Sequence, residues 1–288
     1  MRIVRYFVIV LFCLAWASSE ADAATRVTYT KEDSVKVVEL LTEAKSMPAD
    51  ANRVLFFARK FMGIPYVAHT LEVNNKEQLV VNLRELDCTT YVETVLALAL
   101  TSSEGKVSFS AYCDNLKKIR YRHGVLEDYA SRLHYFTMWI EDNTEMGIVE
   151  EISDEGLFNA TQTVKATYMT TYSDKYKMLA GDTAMIKKIA LMEQHINGKK
   201  HRYLPNANIR NTWRLRKVVH DGDVIAIVTS KSGLEISHLG FAVWHWDGLH
   251  LLDASSIHHK VIEEPATLRK YLIGRKTALG VRVLRLCD

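Results

Sequence analysis

Apolar positions along the chain change period, and the change divides it. Through the first third the spacing is helical: residues 30–45 and 51–62 predict two helices, the second closed by Gly63 with Pro65 two residues beyond it. Residues 63–67 then run extended, because the position before a proline is pushed out of the α region. The clearest pattern spans 84–100. There Val92, Val95, Leu96 and Ala99 recur at helical spacing, Asp87 is a good N-cap, and Glu93 is an acid near the positive end of the dipole. Cys88 therefore falls at or next to the first helical position. From about 102 to 219 the signals are mixed, with no clean strand repeat. Residues 131–143 read as a helix capped by Ser131, with His134, Tyr135, Met138 and Trp139 sharing much of one face. Residues 185–197 read as another helix, ended by Gly198, and 203–205 as an extended segment. From Asp221 onward the period is that of strands: a buried run over 224–229, then 237–244 and 249–255 joined as a β-hairpin by the loop 245–248. A short helix over 267–272 and a closing strand over 281–286 complete the pattern. Helices first and an antiparallel meander after predict an α+β fold.

The first 23 residues are expected to be removed. Arg2 and Arg5 form a positive start, 6–17 an apolar core too short to span a bilayer, and Ala21, Asp22 and Ala23 a small-x-small cleavage site. The chain is thus expected to be exported, with a soluble single domain over 24–288 and no stable membrane insertion. A formal net charge of +3, with basic residues scattered apart from short runs such as 199–202, argues against a nucleic-acid binder. No Cys-x-x-Cys, His-Glu-x-x-His or glycine-rich phosphate loop occurs, so the sequence implies no metal and no cofactor. Cys88, Cys113 and Cys287 remain after processing, and an odd number in an oxidising compartment directs attention to one functional thiol. Cys113 and Cys287 could pair; spacing alone leaves that open.

Cys88 has the setting of such a thiol, since free N–H groups and the dipole at a helix start stabilise a thiolate. The plainer reading is a small buried hydrophobe. The hairpin supplies a base. With a four-residue loop Trp244 faces Leu249 and Gly240 faces Asp253, so His238, Gly240 and Asp253 project from one face while Leu239, Phe241, Leu252 and Ala254 form the apolar one. His238 and Asp253 become diagonal neighbours about 7–8 Å apart at the backbone, with Gly240 leaving room for the carboxylate to reach the imidazole. Cysteine, histidine and a third polar residue make a thiol acyl-transfer site: the thiolate attacks a carbonyl carbon, the imidazole shuttles the proton, and the acid fixes its tautomer. Backbone N–H groups at the start of the Cys88 helix would hold the oxyanion. A lone strand histidine, an aromatic helix stripe and Tyr66 each also have an ordinary reading as packed core.

The series Leu86-Asp-Cys-Thr-Thr-Tyr-Val-Glu93, Asp221-Gly-Asp-Val224, Ser237-His-Leu-Gly-Phe241 and Asp253-Ala-Ser-Ser256, with Gly63-Ile-Pro-Tyr66 upstream, resembles the NlpC/p60 branch of papain-like cysteine peptidases. Three further stretches, at 80–83, 131–136 and 233–240, narrow the likeness to the N-acetylmuramoyl-L-alanine amidase-like family of exported bacterial proteins. The resemblance implies a papain-like core over about 50–101 and 220–288, a nucleophile helix packed on an antiparallel sheet, and a large helical insertion over about 102–219. It implies cleavage of the amide between N-acetylmuramic acid and L-alanine in peptidoglycan-derived muropeptides by a periplasmic, monomeric enzyme. Carried over, Cys88 is the nucleophile, His238 the base, and Asp253 the third polar residue, where many relatives carry histidine. Tyr66 falls where relatives line the site beside the nucleophile. Arg132, His134, Tyr135 and Trp139 lie in the family-specific insertion and are expected to recognise sugar or stem peptide. Two alternatives keep most of these residues: a γ-D-glutamyl–diamino-acid endopeptidase, and a non-catalytic muropeptide-binding protein. No wall-targeting repeat accompanies the site, which favours small soluble muropeptides over intact sacculus.

Overall fold

A computed structural model describes residues 26–287, so the expected leader and its cleavage site lie outside the described residues. In chain order the elements are β1 (Val27–Thr28), α1 (Lys31–Ala44), α2 (Arg53–Lys60), β2 (Leu79–Val80), α3 (Cys88–Ser103), α4 (Phe109–Arg120), α5 (Phe136–Glu145), β3 (Val149–Ile152), β4 (Ala160–Thr163), α6 (Tyr168–Thr171), α7 (Thr183–Ile196), β5 (Lys200–Pro205), α8 (Trp213–Val218), β6 (Val224–Thr229), β7 (Ile236–Trp244), β8 (Leu249–Ser255), β9 (Lys260–Glu263), α9 (Leu268–Ile273) and β10 (Ala278–Leu286). β1 and β2 form a small parallel pair, and the other strands an antiparallel sheet in the order β4-β5-β10-β6-β7-β8-β9. β3 shares with β5 the outer edge of β10, pairing with its second half while β5 pairs with its first. Helices on an antiparallel sheet make the α+β class anticipated from the pattern.

Both faces of this sheet are covered. On one, α3 lays Tyr91, Val95 and Leu96 over Val224, Ala226, Leu239, Phe241, Leu252 and Ala254, all buried. The Tyr91 ring meets Phe241 edge-on at 5.5 Å and Phe61 at 6.3 Å, locking α2, α3 and β7 together. On the other face Ile225, Ile227, Leu251, Val281 and Val283 pack beneath Leu215 of α8 and Leu268 and Leu272 of α9. That second layer corrects the expectation of a single apolar face. The residues alternating with Leu239 and Phe241 also point into protein, because α8 and α9 fold back over them, and β6 is accordingly apolar at nearly every position.

The region between α3 and β6 carries α4 to α8 and is not purely helical. It contributes β3, β4 and β5 to the sheet, with registers such as Val283 opposite Ile152 and Val281 opposite Leu204. These strands have only four to six residues and alternate short polar and apolar positions, so they carry little period of their own. The helix expected over 131–143 begins instead at Phe136. Ser131 does not cap it: its hydroxyl donates to the Asp128 carbonyl (2.6 Å) and accepts from the Glu127 N–H (3.1 Å), closing a tight turn after which the chain runs extended. Nor do Cys113 and Cys287 join. Cys113 is buried in α4, where burial first and then Asp114 push its thiol up to about 12, while the Cys287 N–H pairs with the Ile148 carbonyl beside β3.

Candidate active site

Cys88 is the first residue of α3, and the start of that helix is fixed by a reciprocal cap. The Asp87 carboxylate accepts the Thr90 N–H (2.8 Å), and the Asp87 N–H donates to the Thr90 hydroxyl (2.9 Å). The Asp87 carbonyl takes the Tyr91 N–H (2.9 Å), so the N–H groups of Cys88 and Thr89 are the two left at the end of the helix. Glu93, one turn further, is buried against Arg120 at 2.7 Å, and Arg120 also donates to the Val80 carbonyl at 2.7 Å. Its role is thus an ion pair beneath the helix rather than complementing the dipole.

His238 reaches Cys88 from β7. Opposite it, β6 and β7 slip register between Ile227 and Val228, so that His238 faces Ile227 while Ile236 faces Val228 and Ser237 bulges out. A bulge re-aims the side chain beside it. The imidazole Nε2 hydrogen-bonds the Asp253 carboxylate, and the ring also interacts with the Cys88 thiol group. The ring thus joins a nucleophile in the α3 layer to an acid on the α9 face. Its side chain is 13 % exposed, whereas Asp253 is fully buried. Burial opposes a charge on the ring, but the charge of Cys88 and hydrogen bonds to Asp253 and Cys88 outweigh it and push His238 up to about 10. The hairpin register is as expected, with Trp244 opposite Leu249. Gly240 does leave the room: a Cβ there would lie 2.9 Å from the Asp253 Cβ and 2.8 Å from the Leu252 carbonyl oxygen.

Tyr66 is brought alongside. The 63–67 segment is clamped between β9 and the lead-in to α3: the Tyr66 N–H donates to the His259 carbonyl (3.0 Å) and the Val67 N–H to that of Leu86 (3.1 Å). The phenol is half-buried, and burial followed by the charges of Cys88 and Asp87 push it up to about 12, so it stays a hydrogen-bond donor. The insertion cluster is different. Trp139 is fully buried and stacked on Phe136 at 4.7 Å, and Tyr135 is 2 % exposed with its hydroxyl donating to Glu193 at 2.6 Å. These two are core and present no surface to a ligand, which corrects the expectation for them. Arg132, also buried, pairs with Glu77 at 3.2 Å and lies 4.8 Å over the Tyr129 ring. His134 packs against that ring at a tilt, centroids 4.3 Å apart, its Nε2 bonded to the Tyr129 carbonyl; burial, then Arg132, lower it to about 3, so it is neutral. Of the four, His134 alone keeps an appreciable exposed area.

Two residues near the reacting atoms carried no signal in the pattern. Tyr271 and Arg275, in and just after α9, both act electrostatically on the Asp253 side of the site. Their neighbours in sequence say nothing of this, since α9 reaches the site only by crossing the outer face of the sheet.

The N-acetylmuramoyl-L-alanine amidase-like family model matches residues 56–278, a span that includes Cys88, His238 and Asp253. The chain belongs to this family. An N-acetylmuramoyl-L-alanine amidase from Bacteroides uniformis is 38 % identical over 82 % of this chain and 98 % of its own, with a TM-score of 0.76. A Bacteroides fragilis protein that carries a provisional xylanase name is 36 % identical over 80 % of this chain and 99 % of its own, at a TM-score of 0.74. A Legionella pneumophila protein shares the fold at 22 % identity and a TM-score of 0.66, covering 89 % of this chain and 95 % of its own. Among curated proteins none matches. Membership of the amidase-like family supports a peptidoglycan amidase-like hydrolase. No helix among the described residues is long and apolar enough to cross a membrane.

Proposed function

We propose that the protein cleaves the amide between the lactyl group of N-acetylmuramic acid and L-alanine in muropeptides, by a cysteine mechanism on an NlpC/p60 papain-like core. The observation that carries the reading is the imidazole held between the Cys88 thiol and the buried Asp253. Held so, His238 takes the Cys88 proton and leaves the sulfur to attack as the thiolate. The thiolate attacks the lactyl carbonyl carbon, and in this reading the N–H groups of Cys88 and Thr89, with the Tyr66 phenol, receive the negative charge on its oxygen. As the tetrahedral intermediate collapses, His238 gives its proton to the departing alanine nitrogen. Water then enters, His238 takes its proton, and the thioester is hydrolysed to a free lactyl carboxylate. Asp253 holds the ring throughout. A glycosidase reading has less support, because that chemistry uses two carboxyl groups flanking one bond, and Asp253 is already engaged to the imidazole.

A leader of this kind and a cell-wall family together favour an exported, extracytoplasmic enzyme acting as a monomer on soluble fragments. Digestion of a defined muropeptide, followed by mass measurement, tests the cleavage. An intact stem peptide with a free alanine amine is expected; a dipeptide still attached to the sugar would establish the endopeptidase instead. Cys88→Ala should abolish turnover while leaving the melting temperature near that of the parent, and unchanged turnover would mean that Cys88 is not the nucleophile.

A further inference from the structure

The two most exposed large apolar side chains among the described residues are tryptophans on adjoining elements. Trp213, the first residue of α8, is 71 % exposed, and Trp246, in the loop between β7 and β8, is 91 % exposed. Asn211 and Arg216 tie these elements together. The Asn211 side-chain amide donates to the Trp246 carbonyl (3.0 Å), and its oxygen accepts from Arg216 Nε (2.8 Å); another Arg216 nitrogen donates to the His245 carbonyl (2.6 Å). Two cations lie on tryptophan rings of the same corner: Arg216 over Trp244 at 4.3 Å and Lys217 over Trp213 at 3.9 Å. Among the described residues neither cation forms an ion pair. α8 holds no acid, and the one acid of the loop, Asp247, is engaged to His250 at 3.0 Å.

Packing does not account for this corner, since neither Trp213 nor Trp246 belongs to either hydrophobic core. Large apolar side chains gathered in water beside charged groups mark a contact surface. The charge says which kind. Indole rings flanked by uncompensated Lys and Arg suit the boundary between membrane and water, where the rings lie at headgroup level and the cations meet lipid phosphates. A sugar platform needs open ring faces, and here a cation already takes one face of Trp213 and one of Trp244. Peptidoglycan sugars whose lactyl groups are in amide linkage also offer the cations no negative charge. We propose that this corner docks the protein on an anionic phospholipid surface, with Trp213 and Trp246 entering the headgroup layer and Arg216 and Lys217 meeting phosphates. Two rings and two cations make a weak anchor, so the docking is reversible. His238 lies toward the other end of β7, about 20 Å away by strand rise, so the docked protein keeps its reacting groups clear of the contact.

Sedimentation of the protein with vesicles tests this. Vesicles of phosphatidylcholine mixed with phosphatidylglycerol should carry the protein down, and vesicles of phosphatidylcholine alone should bind it at least about fivefold less. Salt at about 1 M, where charges are screened beyond about 3 Å, should release most of the bound protein. Lys217→Gln should weaken binding about fivefold, and Trp213→Ala with Trp246→Ala at least about tenfold. All three side chains are exposed, so these variants should melt with the parent. Equal binding to the two kinds of vesicle, or anionic binding that survives the double tryptophan variant, overturns the proposal. Absence of binding to the phosphatidylglycerol vesicles also overturns it; purified sacculi that carry down the parent but not the double tryptophan variant would then make the corner a glycan platform.

Discussion

The imidazole of His238 sits between a thiol and a buried carboxylate, so it holds its proton longer than an ordinary histidine. Burial works against the charged ring, but Cys88 and Asp253 prevail, and the group is pushed up to about 10 from about 6.5. The folded state therefore binds this proton more tightly than the unfolded chain. Its contribution to stability is present in full below about pH 6.5 and is lost as pH rises through about 10. If the working form is the ion pair, kcat/KM should fall on the alkaline side with a midpoint near 10. Asp253→Asn removes one negative charge while keeping a hydrogen-bonding oxygen, so it should lower that midpoint. A pH–rate profile of parent and variant checks this, and an alkaline limb that does not move would show that Asp253 does not act on His238. Asp253 itself has its other carboxylate oxygen buried without a hydrogen-bond partner in the structure, and burial first pushes its carboxyl up, against the pull of His238.

At the scale of elements, the site depends on a helix start and a strand pair meeting at a bulge. The α3 start is strongly local: Asp87 and Thr90 cap each other, and Cys88 follows from them. The strand pair depends on a missing side chain. A methyl group at Gly240 would have to fit 2.8 Å from the Leu252 carbonyl and 2.9 Å from the Asp253 Cβ, and neither is the far end of a flexible chain. Gly240→Ala should thus cost about 1–3 kcal/mol of stability by overpacking and should also reduce turnover, because the shift falls on the acid that holds His238. Thermal melts with kinetics on the same preparation check this. A variant that loses stability while the turnover of its folded fraction stays at the parent level would place the strain elsewhere.

For the molecule as a whole, the region between α3 and β6 is structural as well as peripheral. It supplies strands to the outer edge of β10 and a buried aromatic stack to the core beside α3. Trp139→Ala should therefore destabilise by about 3–5 kcal/mol, whereas His134→Ala, at a half-buried ring, should cost less and should raise KM where that ring meets substrate. Denaturant unfolding read beside KM separates the two, and a Trp139 variant as stable as the parent would refute the core assignment. The difference between these neighbours was not legible in the sequence, since a helical stripe looks the same whether it faces protein or solvent. Much else was legible. The capped start at Cys88 and the hairpin register that opposes Trp244 to Leu249 are fixed by residues within a few positions of one another, and local chemistry is what sequence carries most directly. Tertiary structure decided what depends on distant partners. It closed α8 and α9 over the face where His238 and Asp253 lie, brought Tyr271 and Arg275 beside them, and recruited the weakly patterned β3, β4 and β5 into the sheet. The physical reason is that burial and the field at a charged group are set by whatever packs against it, and those neighbours come from parts of the chain whose own periodicity does not point to them.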